Sequence, residues 1–304
     1  MSDPTPSIVE AQDQATARNL RRAAGRLRER ARAGTPVWVL LVLVPAALAV
    51  TKTAWEPATP AAVFYALAIM LAATLGFGRR PEKLRRAAAR ALEYHDCTVL
   101  DLVWNARAAG PEPTDEELSD WQGAADDGAT GGAIDPFPIE LARLDLPFAR
   151  VACQNLAVRW DAAAGRLYLK RLWQGLGAVT VVVVAGGLAL RPQPETAATS
   201  LIALAPVAYW IWRQRTAFRE ADRLADRVAQ RAGSAWRNAM ARSIQAPALA
   251  SVARGVQDDI FAFRAAEPLP PRWAAGRWWG GGPGIRATVD RLEGQYERLQ
   301  AESG

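Results

Sequence analysis

Residues able to bind an anionic ligand are concentrated near the C-terminal end of the 304-residue chain. They are Arg254, Gln257, Asp258, Arg264, Arg272, Trp273, Arg277, Trp278 and Trp279. A guanidinium matches a phosphate with two hydrogen bonds, and aromatic or guanidinium faces stack on nucleobases. The stretch therefore has the chemistry to hold an anionic nucleotide. Arginine and tryptophan are also common beside a membrane, so composition leaves a topological role open.

Asp258 and Arg264 could instead be structural residues. A buried charge among helices needs an opposite charge as its partner, so an ion pair between Asp258 and an arginine would hold the helices together. Alanine at Arg264 separates the two interpretations. Loss of ligand binding with intact expression would indicate a contact with the ligand, whereas loss of the protein would indicate a structural pair.

A catalytic role finds little support in the sequence. The chain has no P-loop, no Rossmann glycine pattern and no HExxH or GxSxG motif. His95, Asp96 and Cys97 are adjacent, but catalysis requires geometry rather than adjacency. With one histidine and two cysteines, no ordinary zinc site can form from those residue types alone. Asp126 and Asp127 lack the spacing of a calcium loop. We therefore predict a protein that is not an enzyme and has no metal or cofactor.

Four apolar runs separate the charged parts of the chain. They cover residues 37–54, 61–77, 172–190 and 198–212. A bilayer core of about 30 Å needs about 20 helical residues, and short polar links join the runs in pairs. The runs predict an all-α membrane protein with four transmembrane helices in two hairpins and a cytoplasmic helical module. The alternative is that they are buried helices of a soluble core.

The distribution of charge predicts the orientation. The formal net charge is +6, and the bases crowd beside the apolar runs at 18–32, 79–90, 170–171 and 213–219. At the outer ends of the two hairpins the only basic residues are Lys52 and Arg191. The positive-inside rule then places both termini and the middle segment in the cytoplasm. This distribution argues against DNA as the partner.

The runs divide the chain into five segments. These are a basic N-terminal helix (1–35), a first hairpin (36–78), a cytoplasmic helical insert with an acidic loop (79–171), a second hairpin (172–213) and a cytoplasmic C-terminal helical region (214–304).

Further helices are predicted within the cytoplasmic segments. Helical spacing predicts a helix over 8–33, another from 79 to about 95, one over 146–171 that continues into the third run, and others over 213–242, 248–266 and 285–300. Thr114 with Glu117 is a capping-box signature for a short helix. An apolar stripe on the 213–242 helix predicts helix packing, and it comprises Phe218, Ala221, Leu224, Ala225, Val228 and Ala232.

Two stretches resemble signatures of a known family. The first is YHDCTVLDLVWN, in which Asp96, Trp104 and Asn105 match, whereas His95 and Val103 depart from the pattern. The second is RGVQDDIFAFRAAEPLPPRW, whose matching residues are Arg254, Gln257, Asp258, Ile260, Phe261, Arg264, Pro268, Pro271 and Trp273. With the two-hairpin layout, the chain resembles S-4TM, the four-transmembrane effector domain associated with bacterial second-messenger nucleotidyltransferases.

The resemblance implies a role in antiphage (CBASS-type) defence. Such an effector would sense a cyclic oligonucleotide second messenger in the cytoplasm and then disrupt the inner membrane. The partners expected are the lipid bilayer, the cyclic oligonucleotide as activating ligand, and further copies of the chain in a homo-oligomer. The candidate ligand-binding residues are Arg254, Gln257, Asp258, Arg264, Trp104 and Asn105. The alternative is a non-enzymatic membrane scaffold or channel that docks a cytoplasmic protein.

Overall fold

The computed structural model describes residues 7–32, 79–126, 137–138, 141, 143–190, 194–241, 244–269 and 283–302, with the single positions 64, 68 and 71. In these ranges the chain forms helices and connecting turns. The helices are α1 (Ile8–Gln12), α2 (Ala15–Arg32), α3 (Arg79–Val99), α4 (Ala106–Ala109), α5 (Asp115–Asp126), α6 (Leu146–Leu190), α7 (Pro194–Met240), α8 (Ala246–Ala266) and α9 (Pro283–Ala301).

The predicted fold class is corrected on its membrane-spanning part. Among the residues described above, no helix combines the length and the apolar character needed to cross a bilayer. The prediction of four transmembrane helices in two hairpins is therefore wrong for these helices. Both α6 and α7 extend well beyond the apolar runs 172–190 and 198–212 into charged stretches, as at Arg166, Asp222 and Asp226.

The helical character of two apolar runs is nevertheless confirmed. α6 is a continuous helix of 45 residues that contains 172–190, and α7 is one of 47 residues that contains 198–212. The other two runs, 37–54 and 61–77, lie outside the described residues except at positions 64, 68 and 71.

The N-terminal helix differs from its prediction. The sequence predicts one helix over 8–33, but the chain breaks after α1 at Asp13 and Gln14. The buried side chain of Gln12 bonds the backbone of Phe137, donating to its carbonyl oxygen at 3.2 Å and accepting from its N–H at 2.8 Å. This contact with a residue far along the chain holds the end of α1, and the sequence pattern carries no signal for it.

The described residues bury three main apolar clusters. The largest joins α1, α2, α3, α6, α7, α8 and α9, with Leu156, Trp236, Leu249 and Tyr296 among its members. A second lies between α6, α7 and α8 and contains Ile260. A third packs α2 on α3 and α5, with members such as Leu20, Leu92 and Trp121. α8 contributes to the first two clusters, so its polar residues lie close to the apolar core.

Several local predictions are confirmed. The stripe on α7 packs inward, because Phe218, Ala221, Ala225, Val228 and Ala232 are buried and Leu224 packs against the second cluster. Glu117 donates its backbone N–H to the Thr114 hydroxyl at 3.3 Å, which caps α5. α9 buries Val289, Leu292 and Tyr296 in the largest cluster.

Candidate functional site

Charged and amide side chains from four helices meet inside the described part of the molecule. α8 contributes Arg254, Gln257 and Arg264, and α3 contributes Glu93 and Asp96. Residues three, four or seven positions apart lie on one face of a helix, so these spacings place each set on a single face. Because α8 packs on both α3 and α6, the two faces meet at this contact.

Arg254 is the outer end of this network. Its guanidinium lies 2.5 Å from a Glu93 carboxylate oxygen and 2.7 Å from Asp258, and it donates to the Val103 carbonyl at 2.9 Å. Burial works against the charge of Arg254, but the hydrogen bond that Arg254 donates to Glu93 and the negative charge of Glu93 outweigh burial and raise the pKa of Arg254. The Arg254 side chain is 18 % exposed and that of Asp258 is 27 % exposed. This is therefore the end of the network that an incoming ligand can reach.

Glu93 is 1 % exposed and satisfied on both oxygens. One accepts from Arg254 and the other accepts from the Gln257 amide at 2.9 Å. Burial raises the pKa of Glu93, although the hydrogen bonds from Arg254 and Gln257 oppose the shift. The hydrogen-bond donors thus favour the ionised form of Glu93, whereas the buried environment favours its neutral form.

Arg264 is the inner end of the network. It donates to Asp96 of α3 at 2.6 Å and to Asp161 of α6 at 3.1 Å. Asp161 also accepts from Arg28 of α2 at 3.3 Å. Burial favours the neutral form of Asp96, but the charge of Arg264 and the bond to His95 hold the pKa of Asp96 below its usual value. The alternation of arginine and aspartate joins α2, α6, α8 and α3.

Gln257 connects the two ends. Its amide N–H groups donate to Glu93 and to Asp96, the latter at 3.1 Å. Its oxygen accepts from Gln154 of α6 at 3.1 Å, and Gln154 also donates to the Ala253 carbonyl at 2.8 Å. Gln257 is completely buried. A buried amide with partners on both sides fixes the relative rotation of the helices that carry them.

The six residues predicted to bind a ligand fall into two groups. Asp258, Asn105 and Arg254 are in contact, because the Asn105 amide donates to Asp258 at 2.8 Å and Asp258 pairs with Arg254. Trp104 borders this group, with its indole N–H bonded to the Gly110 carbonyl at 2.9 Å and its ring packed edge-on against Tyr94.

The other two predicted residues lie deeper. Gln257 and Arg264 reach Asp96 instead of the surface. The ion pair that the sequence offered as the alternative is present, since Asp258 pairs with an arginine. However, Arg254 and Asp258 are both on α8, and the contact that joins two helices is the one between Arg254 and Glu93.

Sequence reasoning missed Glu93, Asp161 and Arg28 as members of the network, and it named Asp96 only within the adjacent trio and the first family signature. Glu93 and Asp96 stand three positions apart on an otherwise apolar face of α3, and that spacing was the available signal. Asp161 interrupts a helical stretch between the buried residues Val158 and Ala162, which indicates an inward-facing charge in need of a partner. Arg28 carried no such signal, because it is one of many arginines on α2.

The adjacent side chains of His95, Asp96 and Cys97 are all buried on α3. His95 Nδ1 lies 2.9 Å from Asp96, and Cys97 lies 3.1 Å from Arg254. Burial, and then the nearby charge of Glu93, raises the pKa of Cys97 to about 12. A thiol whose pKa is raised in this way is a poor nucleophile at neutral pH. The contacts of all three residues are those of a packed helix face.

Comparison with known proteins gives the family. The family model for the SMODS-associating 4TM effector domain matches residues 6–275. No match was found among curated proteins, and none among solved structures. The family description associates the domain with nucleotidyltransferase (CBASS-type) systems, and the name 4TM denotes a membrane protein. Since the match covers most of the 304 residues, the chain belongs to the SMODS-associating 4TM effector domain family.

Proposed function

We propose that the chain senses a cyclic oligonucleotide in the cytoplasm and, on binding it, disrupts the bacterial inner membrane. The observation that supports this proposal is the group formed by Arg254, Asp258 and Asn105. It lies at the accessible end of a buried charge network whose other end reaches α2 and α6. A ligand that competes for Arg254 would therefore act on contacts between four helices.

A phosphodiester is a suitable competitor for Arg254. It presents two oxygens to a guanidinium in the same geometry as a carboxylate. If a phosphate takes Arg254, Glu93 loses its cationic partner. Burial already raises the pKa of Glu93, so this carboxyl can take up a proton and keep its bond from Gln257. The exchange then avoids leaving an uncompensated buried charge, which would otherwise oppose it strongly.

Neighbouring groups can recognise the rest of such a ligand. Trp104 is partly exposed and its ring is braced by Tyr94, at 5.9 Å between ring centroids. Aromatic faces stack on nucleobases without strong sequence preference. Asn105 has an amide that could turn from Asp258 toward a base edge. These features match a flat, charged ligand better than a small inorganic anion.

The network can pass a change at Arg254 to the rest of the chain. α3 follows the apolar run 61–77 in the sequence, and α2 precedes the run 37–54. If the chain has a resting state and an activated state, a ligand shifts the equilibrium between them by its difference in affinity for the two. A tenfold preference corresponds to about 1.4 kcal/mol, which is comparable to one buried hydrogen bond. The loss of a few hydrogen bonds of the network would therefore be sufficient to shift the chain from one state to the other.

The test uses the purified full-length chain. Binding of a panel of cyclic di- and trinucleotides is measured by calorimetry in detergent, and leakage is measured with liposomes. Arg254→Ala should abolish binding and leakage while expression is retained. Arg231→Ala is the matched control, because Arg231 pairs with Asp259 of α8 at an exposed position away from the network. The absence of binding and leakage across the whole panel, with folded wild-type protein, would count against the proposal.

The scaffold alternative has less support from the described residues. The apolar faces of α7 and α9 that could have docked a partner are buried within the chain itself. Pull-down of a stable protein partner without any nucleotide would favour that alternative. We also propose a homo-oligomer as the active form, which light scattering of the detergent-solubilised chain would test.

A further inference from the structure

Glu267 is a buried acid that is not among the residues described above as bonded to Arg254. It is 5 % exposed and follows the last residue of α8, where the backbone becomes extended. Its N–H still donates to the Phe263 carbonyl at 2.8 Å, and Pro268 comes next. The side chain is therefore fixed at the point where α8 ends and the chain leaves the helical module.

The charged groups around Glu267 come from five helices. Arg28 and Arg32 face it from α2, and Arg85 faces it from α3 while donating to the Ala265 carbonyl at 2.9 Å. Arg264 faces it from its own helix. The arginines are thus nearby, but Arg28 and Arg264 donate hydrogen bonds to Asp161.

Acidic and rim groups complete the surroundings. Asp161 of α6 is the negative neighbour, and it accepts from both Arg28 and Arg264. Arg166 of α6, with Arg219 and Asp222 of α7, lines the cleft that contains Glu267. Arg166 is committed to Asp222 and Asp226, so it stands at the rim of the cleft without neutralising the acid.

The cleft gives water access to Glu267. Phe263 and Glu267 form its buried side, and the exposed side chains of Arg166 and Arg219 form its mouth. Its volume is about 40 Å³, which is room for a water molecule or two and for nothing larger. Protons can therefore reach the acid, whereas a nucleotide cannot.

We propose that Glu267 is a proton-operated latch, which in its neutral form holds the end of α8 against α2 and α6 and in its ionised form weakens that contact. Ionisation puts a second carboxylate in a buried site beside Asp161, which already accepts hydrogen bonds from Arg28 and Arg264. Burial first, and then the negative charge of Asp161, raises the pKa of Glu267 to about 8. The latch thus changes state close to physiological pH.

The direction of the effect follows from linkage. The folded chain holds a proton on Glu267 that the unfolded chain has lost once the pH exceeds the ordinary value of a glutamate. Stability therefore falls as the pH rises from about 5 to about 8, and it levels off above that range.

The experiment compares the wild type with Glu267→Gln, a permanently neutral side chain of the same size. Thermal unfolding of the full-length chain in detergent is followed from about pH 5 to about 9. The wild-type midpoint should fall by several degrees, and E267Q should remove most of that fall. Glu297→Gln, at an exposed position of α9, should leave it unchanged. A pH dependence in E267Q equal to that of the wild type would overturn the proposal.

A second measurement covers the case in which E267Q does not fold. Infrared spectra of the wild type with ¹³C-labelled glutamate should contain the carbonyl band of a protonated carboxyl group at neutral pH. That band should disappear as the pH is raised above about 8. A wild-type spectrum without such a titrating glutamate band would equally overturn the latch.

Discussion

Arg264 of α8 donates a 2.6 Å hydrogen bond to Asp96 of α3, and both side chains are almost completely buried. The pair joins two helices through residues that are 168 positions apart in sequence. The guanidinium of Arg264 also pairs with Asp161, so two buried carboxylates share it. The predicted contribution of this arginine is therefore to stability first, which the following substitutions test.

Arg264→Ala should strongly destabilise the chain. It leaves the carboxylates of Asp96 and Asp161 in the interior without their shared cation, and breaking a buried pair costs about 3–5 kcal/mol. We expect loss of expressed protein or a large fall in the thermal midpoint, measured in detergent by intrinsic fluorescence. Arg166→Ala removes a half-exposed ion pair between Arg166 and Asp222 and should lower the free energy of unfolding by at most about 1 kcal/mol. An R264A protein as stable as R166A would contradict the structural role.

Asp96→Asn should reduce the sensitivity of the chain to acid. The pKa of Asp96 is held below its usual value by Arg264 and His95 despite burial. A depressed folded-state pKa gives stability that is present above the ordinary pKa of an aspartate and is lost as the pH falls below it. The unfolding midpoint, measured from neutral pH down to about pH 3, should therefore fall less steeply in D96N than in the wild type. Equal slopes would show that Asp96 is not linked to folding.

Glu93→Gln should increase affinity for the activating nucleotide. The substitution removes the carboxylate that competes for Arg254 but keeps an amide of similar size beside Gln257. We expect binding about tenfold tighter, equivalent to about 1.4 kcal/mol, and leakage at lower ligand concentration, measured by calorimetry and liposome assay. Asp259→Asn is the control, since it removes the exposed partner of Arg231. Weaker binding in E93Q would argue that Glu93 orients Arg254 for the ligand.

The same glycine-to-alanine change should have different effects at two positions. At Gly165 a Cβ would lie 3.2 Å from the ring of the buried Phe218, which also packs on Tyr168. G165A should cost about 1–2 kcal/mol, because a packed ring must move. At Gly255 a Cβ would meet only the flexible, exposed end of Arg231. G255A should be neutral or gain up to about 1 kcal/mol from helix propensity, and chemical denaturation distinguishes the two.

The sequence predicts the helices well where a regular pattern exists. The stripe from Phe218 to Ala232 gives the buried face of α7, and Thr114 gives the start of α5. In both, the signal is local and the structure adds nothing that opposes it. The family resemblance is confirmed by the match over 6–275.

The errors have a common physical origin in long-range contacts. The break after α1 depends on Gln12 and Phe137, and the burial of Arg28 depends on Asp161. Neither partner can be paired from spacing alone, because the residues lie more than a hundred positions apart. A separate error is the prediction of spanning helices, which rested on the apolar runs and their flanking charges, whereas no helix of the described residues has the length and apolar character of a span.

The contact between Gln12 and Phe137 also bears on the order in which the chain can assemble. The two residues are 125 positions apart, so α1 cannot reach its final place until the ribosome has made nearly half of the protein. During that time the apolar run 37–54 has already emerged. The first segment to be synthesised therefore cannot take its final place before the middle of the chain has been made.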